Sequence, residues 1–349
     1  MQNVAFISSD YGPQSPPEPN GCTWYRCILP AQELKRHGWE TCVGMPGASE
    51  KLGLGITYKD GMLAGWDINI LKLLMHQQVL EFMGVMQRNG QVIGVDVDDF
   101  FQGLHKDNVA TALTDPLVNN EMNRVWLEQI IRAADFVTVS TAFLADWYSS
   151  RARDVRLIRN GIDFDRWGQK EVSGDAVVGW VGGLLWRSGD IESLAAWLPG
   201  LVADRGVSVY HGGSMEQQGA SFGQRVGLKE VIVGDMVSVA EYPSLFDHLN
   251  IGLVPLVPLP FNEAKSNLKG LEYAASGIPF VAYPTHEYRL LAESGVGRLA
   301  ETPDEWRDHV TELLDESIRV EEGARIREIV GREWSMEVRG KSWDIALRG

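Results

Sequence analysis

Short β-branched runs alternate with longer segments of helical period along nearly the whole chain, and this alternation constrains the fold more than any other feature. The runs end in Gly, Asp or Ser, as strands do where they enter a loop. Alternation of this kind predicts a parallel sheet with helices on both faces. The predicted strands of the first half are 4–8, 40–44, 68–73, 91–97, 136–140 and 155–159, and the predicted helices are 23–37, 77–89, 116–134 and 141–149.

A second alternation begins after the polar stretch 168–175. Its predicted strands are 177–181, 207–210, 231–233, 251–255 and 279–283, and its predicted helices are 190–198, 242–249, 267–276, 286–294 and 303–316, with one or two more in 320–347. A chain of 349 residues suits two domains. We therefore predict an α/β protein with two Rossmann-like doubly wound domains, 1–165 and 166–325, that face a central cleft, and a helical segment, 326–349, that packs back toward the first domain.

The charge and the cysteines limit the class of partner. The net charge is -15, and no basic run offsets it, so we expect no binding to duplex nucleic acid or to an anionic lipid surface. Apolar stretches are too short to cross a bilayer, and the first residues do not resemble a signal peptide, so a cytoplasmic protein is expected. Cys22, Cys27 and Cys42 form no CxxC pair, which argues against a zinc site or a disulfide framework.

The segment 260–279 carries the most chemical information. It leads from a strand end through a polar loop into a helix, which ends at Gly277 before the next strand. Ser266 is the predicted N-cap, so that the amides of Asn267 and the residue after it would point toward an anion. The spacing of Lys265, Lys269 and Glu272 would place all three along one helical face. Cations beside a helix N-terminus suit a diphosphate, and a carboxylate one turn further suits a ribose diol.

The same string, 265–279, resembles the donor-site motif of GT-B glycosyltransferases of the family 4 type, in a divergent branch with a Lys-Ser-x-x-Lys-x-x-Glu-Tyr pattern. The resemblance implies that the helix N-terminus holds the nucleotide diphosphate and that Glu272 binds the ribose hydroxyls. It also implies that the 155–163 segment is the hinge between the domains. The family usually carries a further glutamate upstream, which contacts the sugar; Ala264 stands at that position and Glu263 is one residue early.

A glycine turn follows the first strand of the second half. Gly182 and Gly183 would let the backbone approach a phosphate closely, although a plain tight turn has the same pattern. The turn resembles the first donor-domain loop of the family, in which basic residues complete the diphosphate site. Arg187 is the candidate for that role here, and Lys265 would supply the second cation.

Polar residues of the first half form the candidate acceptor side. Tyr25 and Arg26 follow a proline-rich loop at the end of the first strand, where a long loop usually has a functional reason. The Asp96-Val-Asp98-Asp99 cluster ends another strand, and His105 lies six residues beyond Asp99. The carboxylates could bind acceptor hydroxyls, hold a divalent metal or cap a helix; we expect no metal, because metal-binding Asp-x-Asp sites belong to single-domain glycosyltransferases.

Together these features predict a transferase that moves a sugar from a nucleoside diphosphate sugar, UDP- or GDP-linked, to an unidentified acceptor. The expected catalytic residues are Arg187, Lys265 and Asp98. The resemblance implies retention of anomeric configuration with neither metal nor cofactor. Two alternatives remain open at this point. One is a GT-B-fold sugar epimerase or phosphorylase, and the other is a non-catalytic partner protein that binds nucleotide sugars.

Overall fold

Two compact units make up the molecule. The computed structural model describes residues 2–10, 18–47, 55–57, 66–184, 187, 189–214 and 220–348. The first unit comprises Met1–Lys106, Ala110–Gly161 and Met336–Gly349, and the second comprises Asp107–Val109 and Ile162–Ser335. The chain thus passes from the first unit to the second after Gly161 and returns to the first after Ser335. The divisions predicted from the sequence lie at 165 and 325.

The first unit is built on a seven-stranded sheet in the order β3-β2-β1-β4-β5-β6-β7. All neighbouring strands pair in parallel except β2 and β3. The buried strands β1, β4, β5 and β6 are nearly continuous apolar runs, as expected when helices cover both faces of a sheet. The strands are β1 (Asn3–Ser8), β2 (Glu40–Gly47), β3 (Gly55–Thr57), β4 (Ile68–Lys72), β5 (Val92–Val97), β6 (Phe136–Val139) and β7 (Val155–Leu157).

The helices of the first unit include one irregular segment. The predicted helix 23–37 begins as α1 (Gly21–Thr23), continues as a π-helical turn (Trp24–Ile28) and ends as α2 (Leu29–Arg36). Single π-turns inside helices are rare and occur often at functional sites. The remaining helices are α3 (Gln77–Arg88), α4 (Val109–Thr114), α5 (Arg124–Ala133), α6 (Ala142–Ser149) and, from the end of the chain, α14 (Met336–Arg348), with a 3₁₀ turn at Phe101–Gly103.

The predicted helix 116–134 was wrong in its first half. Only Arg124–Ala133 is helical there. Asp115 accepts a hydrogen bond from the amide of Leu117, and Asn119 accepts from the amides of Glu121 and Met122. These side chains offer the backbone an alternative to helical hydrogen bonds, which is why Asp and Asn disfavour helix interiors.

The second unit is built on a six-stranded parallel sheet in the order β10-β9-β8-β11-β12-β13. The strands are β8 (Val177–Val181), β9 (Ser208–Ser214), β10 (Ile232–Asp235), β11 (Ile251–Val254), β12 (Phe280–Ala282) and β13 (Arg298–Leu299). The helices are α7 (Leu198–Arg205), α8 (Phe222–Val226), α9 (Pro260–Glu263), α10 (Leu268–Ala275), α11 (His286–Glu293), α12 (Pro303–Leu313) and α13 (Glu316–Trp334), with 3₁₀ segments at Glu192–Ala196 and Tyr242–His248.

The predicted α-helix 190–198 was also wrong. A 3₁₀ segment, Glu192–Ala196, occupies its place, and the α-helix starts only at Leu198. Pro199 falls in the first turn of α7, where its missing amide hydrogen costs no helical hydrogen bond. Among the described residues, no helix is long and apolar enough to span a membrane.

Candidate functional site

The glycine turn after β8 has a backbone that requires glycine. Gly182 adopts φ +153°, and a Cβ at this residue would lie 2.8 Å from the ring of Trp180. The Gly182 amide donates to the carbonyl of Gly212 (2.8 Å), at the end of β9. Gly183 follows it, with open space around its Cα hydrogens. The turn therefore brings bare backbone to the carboxyl edge of the sheet, where ligands of open α/β sheets bind.

His211, on β9, holds the same turn in place. Its ring is roughly parallel to the rings of Trp180 (5.1 Å between centroids) and Phe222 (5.1 Å). Its Nε2 lies 3.0 Å from the Gly182 carbonyl oxygen, which can only accept, so Nε2 carries a hydrogen and donates it. Burial lowers the pKa of His211. A neutral histidine with a defined tautomer thus supports the glycine turn, a role that the sequence did not indicate.

Arg187 lies on the same loop, beside a buried acid. Its guanidinium is 3.9 Å from the carboxylate of Asp190, and its backbone carbonyl accepts a hydrogen bond from Arg225 (2.7 Å). Arg225 also donates to the Leu184 carbonyl (3.1 Å) and pairs with Glu192. The loop is therefore held by an arginine from α8, and the side chain of Arg187 remains one-quarter exposed.

Asp190 lies on the same loop as Arg187 and is another polar residue that sequence reasoning missed. Its carboxylate is buried and accepts from the amide of Val257 (3.0 Å) and from Asn262 (2.7 Å). Burial raises the pKa of Asp190, while the positive charges of Arg187 and Lys265 act in the opposite direction. Both cations therefore favour the charged form of the same buried carboxyl group.

The start of α10 differs in detail from the sequence prediction. The N-cap is Asn267, and it makes no side-chain capping bond, so Ser266 precedes the helix instead of capping it. The side chain of Asn267 is buried and donates to the carbonyl of Glu287 (3.2 Å). Lys265 also lies before the helix, with its ammonium 4.1 Å from the centre of the Phe261 ring. The prediction of a single helical face for Lys265, Lys269 and Glu272 was therefore wrong for Lys265, because four residues, 264–267, separate α9 from α10.

Lys269 and Glu272 do share a face of α10, where they pair with each other. The Lys269 ammonium donates to Glu272 Oε2 (2.6 Å) and to the hydroxyl of Tyr242, which itself donates to the same carboxylate oxygen (3.2 Å). Burial lowers the pKa of Lys269, Glu272 raises it, and the charge of Arg187 lowers it further. Lys269 is thus engaged inside the second unit by Glu272 and Tyr242.

Tyr273 ties α10 to the sheet. Its buried hydroxyl donates to the carbonyl of Leu253 (3.3 Å) on β11 and accepts from the amide of Val181 (3.3 Å) at the end of β8. Its ring also lies against Gly252, where an added Cβ would come within 2.7 Å of it. The Glu-Tyr pair of the sequence motif therefore has two separate functions. Tyr273 sets the position of the helix relative to the glycine turn, while Glu272 projects from that helix.

Ala264, which replaces the upstream glutamate of the resembling family, is completely buried at the C-cap of α9. The neighbouring Glu263 is half-buried in the last turn of that helix. Ala264 therefore supplies no carboxylate at this position.

In the first unit, Arg26 is a buried structural centre. Its guanidinium donates to both oxygens of Asp96 (2.6 and 3.1 Å) and to the Ile158 carbonyl (2.7 Å) and Asn160 Oδ1 (3.0 Å). Burial opposes the charge, but Asp96 raises the pKa of Arg26. The side chain is 1% exposed, so the predicted contact with an acceptor is replaced by contacts within this unit.

Lys72 and Asp98 extend this network to the edge of the sheet. The Lys72 ammonium is fully buried and contacts Asp96 Oδ2 (3.4 Å) and Asp98 Oδ1. Burial would lower the pKa of Lys72, but the two carboxylates raise it. Asp98 remains 13% exposed, which makes it the accessible end of the network.

The other predicted acceptor-side residues are distributed around this point. Tyr25 lies buried in the π-helical turn. Asp99 and His105 are half-buried in the segment after β5, where the His105 carbonyl accepts from Thr111 (2.9 Å). Within the described part of the chain, no group of three or more His, Cys, Asp or Glu side chains is arranged to hold a metal ion.

Comparison with solved structures identifies the fold. HepE from Anabaena, in complex with UDP-glucose, is 14% identical and covers 100% of both chains, with a TM-score of 0.67. The trehalose-6-phosphate synthase OtsA is 14% identical over 80% of this chain and 72% of its own, with a TM-score of 0.54. A putative UDP-N-acetylglucosamine 2-epimerase from Listeria monocytogenes is 13% identical over 99% and 95%, with a TM-score of 0.55.

These likenesses confirm the predicted fold class: the chain has the two-domain α/β architecture of GT-B proteins. No protein-family model matches the sequence. No curated protein matches it either.

Proposed function

We propose that this protein is a glycosyltransferase that takes its sugar from a UDP- or GDP-linked donor, as a divergent member of the family 4 type. The observation that carries the proposal is the loop after the glycine turn of the second unit, where Arg187 lies beside the buried Asp190. Asp190 accepts in turn from Asn262 of α9, three residues before Lys265. HepE, a protein of the same fold, has been crystallised with UDP-glucose, which supports a nucleotide-sugar ligand.

In this proposal the charge of the departing diphosphate is stabilised by fixed groups. The amides of the first turn of α10 lack intrahelical partners, and helix N-termini favour anions. Arg187 and Lys265 add two cations whose positions are set by the buried Asp190 and by Phe261. Leaving-group charge grows in the transition state, so such preorganised donors accelerate the reaction more than they strengthen binding of the intact donor.

Glu272 is assigned to the ribose of the nucleotide, with Lys269 and Tyr242 as the residues that orient it. Both hold the carboxylate in one direction by donating to the same oxygen. Lys269 therefore acts through Glu272 instead of contacting phosphate, which sharpens the role suggested by the sequence. A carboxylate can accept from two vicinal hydroxyls.

We further propose a front-face reaction that retains the anomeric configuration and uses no metal ion. Asp98 is the candidate residue for the acceptor hydroxyl. Proton NMR of the product reads the anomeric configuration directly: the donor's configuration is expected in the product, and its inversion would overturn this part of the proposal.

The transfer itself is tested by release of nucleoside diphosphate from UDP-glucose and GDP-mannose with and without candidate acceptors. Acceptor-dependent release that falls about 100-fold in Arg187→Ala is expected, because loss of one preorganised donor costs about 10²–10³ in kcat. Arg332→Ala is the matched control, since Arg332 is a surface arginine paired on α13 with Glu328 and Glu333. Equal release in all three proteins would contradict the proposal.

An epimerase is the second candidate, favoured by the likeness to the putative Listeria epimerase. It would convert a UDP-sugar to its epimer with no acceptor present. Accumulation of a second UDP-sugar in a reaction without acceptor would select this function over transfer.

A further inference from the structure

One residue from each of four neighbouring strands forms a buried polar row across the first sheet. The row runs Ser8, Lys72, Asp96 and Thr138, which are direct partners in the register of β1, β4, β5 and β6. Each of these side chains is at most 2% exposed. Thr138 donates to Asp96 Oδ1 (2.7 Å), and Ser8 shares a hydrogen bond with Thr23 (2.7 Å). The hydrogen-bonding groups of this row are thus occupied largely within the protein, and few of them remain for a ligand.

A second row lies two residues further along the same strands, at the carboxyl edge. Asp98 and Ser140 directly follow β5 and β6, which pair up to Val97 and Val139, so the two residues are neighbours at the carboxyl edge of the sheet. Asp98 shares Lys72 with Asp96, which places its carboxylate directly above the first row. Asp10 lies two residues beyond Ser8 of β1 in the same way. Its carboxylate accepts hydrogen bonds from the side chain of Asn20 and from the amide of Thr23.

Ser140 is the exception within this second row. Its side chain is 1% exposed, and its hydroxyl has no hydrogen-bond partner. A buried hydroxyl without a partner loses free energy of about 1–3 kcal/mol relative to a satisfied one, so such groups need an explanation. A hydroxyl on a ligand would supply the missing partner.

The neighbouring backbone is also strained at this edge. Leu73, directly after Lys72, has φ +54°, a left-handed conformation that is uncommon for any residue other than glycine. Its carbonyl accepts from Ser9 (2.5 Å), which holds the turn in place. Strained residues of this kind gather at functional sites.

The charge around the second row is negative. Asp10, Asp96 and Asp98 stand against only Arg26 and Lys72 in the network described above. Burial raises the pKa of the Cys22 thiol, and the carboxylates Asp98, Asp10 and Asp99 raise it further, while Lys72 acts in the opposite direction. These negative charges would repel an approaching anion, whereas they would not oppose a neutral or cationic group.

We propose that the second row, Asp98 with Ser140, binds the hydroxyl groups of an acceptor that carries no negative charge, such as a neutral sugar or an amino sugar. This inference rests on the proposed transfer reaction, because only that reaction makes the bound molecule an acceptor. The binding site itself is independent of that reaction. Asp98 accepts from one hydroxyl, and Ser140 completes its own hydrogen bonding with the next.

Saturation-transfer NMR with the full-length protein tests the site, with glucose, glucosamine and glucose 6-phosphate as probes. Glucose and glucosamine are expected to bind at least 10-fold more tightly than glucose 6-phosphate. Asp98→Asn should reduce this preference to less than about 3-fold, because it removes the charge that repels the phosphate. Ser140→Ala should weaken glucose about 2–10-fold, the equivalent of one neutral hydrogen bond, with no loss of thermal stability.

Tighter binding of glucose 6-phosphate than of glucose would overturn the inference. So would the absence of binding by all three sugars at 50 mM, or an effect of Ser140→Ala on melting temperature with none on binding. A parallel thermal-shift measurement with UDP-glucose reports on the second unit, so failure of the acceptor site and failure of the proposed transfer are told apart.

Discussion

The two units have the same kind of sheet but opposite electrostatic arrangements at its carboxyl edge. In the first unit the cations Arg26 and Lys72 are buried and fully engaged by aspartates. In the second unit Arg187 is one-quarter exposed, and its aspartate lies 3.9 Å away. A cation whose donors are satisfied inside the protein stabilises the fold, whereas one that is loosely paired can still serve a ligand.

The difference also shows why residue type alone is a weak guide to function. Arg26 and Arg187 both follow a strand and a loop, and both were candidate ligand contacts. All three nitrogens of Arg26 donate within the first unit, and the side chain is buried, so it does not reach an acceptor. Variants that break these two arrangements should therefore have different consequences, the first on stability and the second on activity.

Asp96→Asn should produce the largest effect. Removing this carboxylate leaves Arg26 and Lys72 buried with an incomplete set of partners, and breaking a buried ion pair costs about 3–5 kcal/mol. Calorimetry should show a lower melting temperature for the first unit. Asp204→Asn is the control, because Asp204 pairs with Arg307 on the surface and such pairs contribute about 0–1 kcal/mol. Equal losses for the two variants would contradict the burial argument.

Arg187→Ala is expected to reduce transfer by about 100-fold, or about 2.7 kcal/mol of transition-state stabilisation, with a small change in melting temperature. Arg26→Ala makes the comparison direct, since its main effect should be a lower melting temperature. Kinetics and calorimetry on both variants would separate the two roles. A large stability loss in Arg187→Ala with unchanged kinetics would reverse the assignment.

The two lysines of the donor motif should also separate. Lys265→Met is expected to weaken nucleotide-sugar binding about 10-fold while the melting temperature is kept. Lys269→Met leaves Glu272 buried without its cation, so it should destabilise the second unit by about 1–3 kcal/mol. Isothermal titration and thermal melts of the two variants check this. Identical behaviour would indicate that both lysines bind phosphate, as the sequence suggested.

His211→Gln should have the smallest effect, visible as a function of pH. Burial lowers the pKa of His211 from its usual 6.5, so the unfolded chain binds the proton more readily than the folded chain. The contribution of His211 is therefore present above pH 6.5 and is lost as the pH falls through its lowered pKa. Urea midpoints at pH 5 and pH 7.5 should differ less in His211→Gln than in the native protein, and the exposed His286→Gln should match the native protein.

The sequence predicted the strands well because buried parallel strands are continuous apolar runs. The strand 177–181 was predicted to the residue, and most others to within two or three positions. It failed at 116–134 and 190–198, where side-chain hydrogen bonds and a late proline override helical period. It also missed Asp190, His211 and Tyr242, whose partners are distant in the chain and become neighbours only through the sheet.

The central claim is that the loop with Arg187 and the start of α10 bind a nucleoside diphosphate sugar. A thermal-shift titration of the full-length protein with UDP-, GDP-, ADP-, TDP- and CMP-sugars tests it most directly, since a ligand at about 100 times its dissociation constant adds about 2.7 kcal/mol of stability. The account predicts a saturable shift with a UDP- or GDP-sugar that requires a higher ligand concentration in Lys265→Met and is unchanged in Arg332→Ala. No shift with any member of the panel would contradict it.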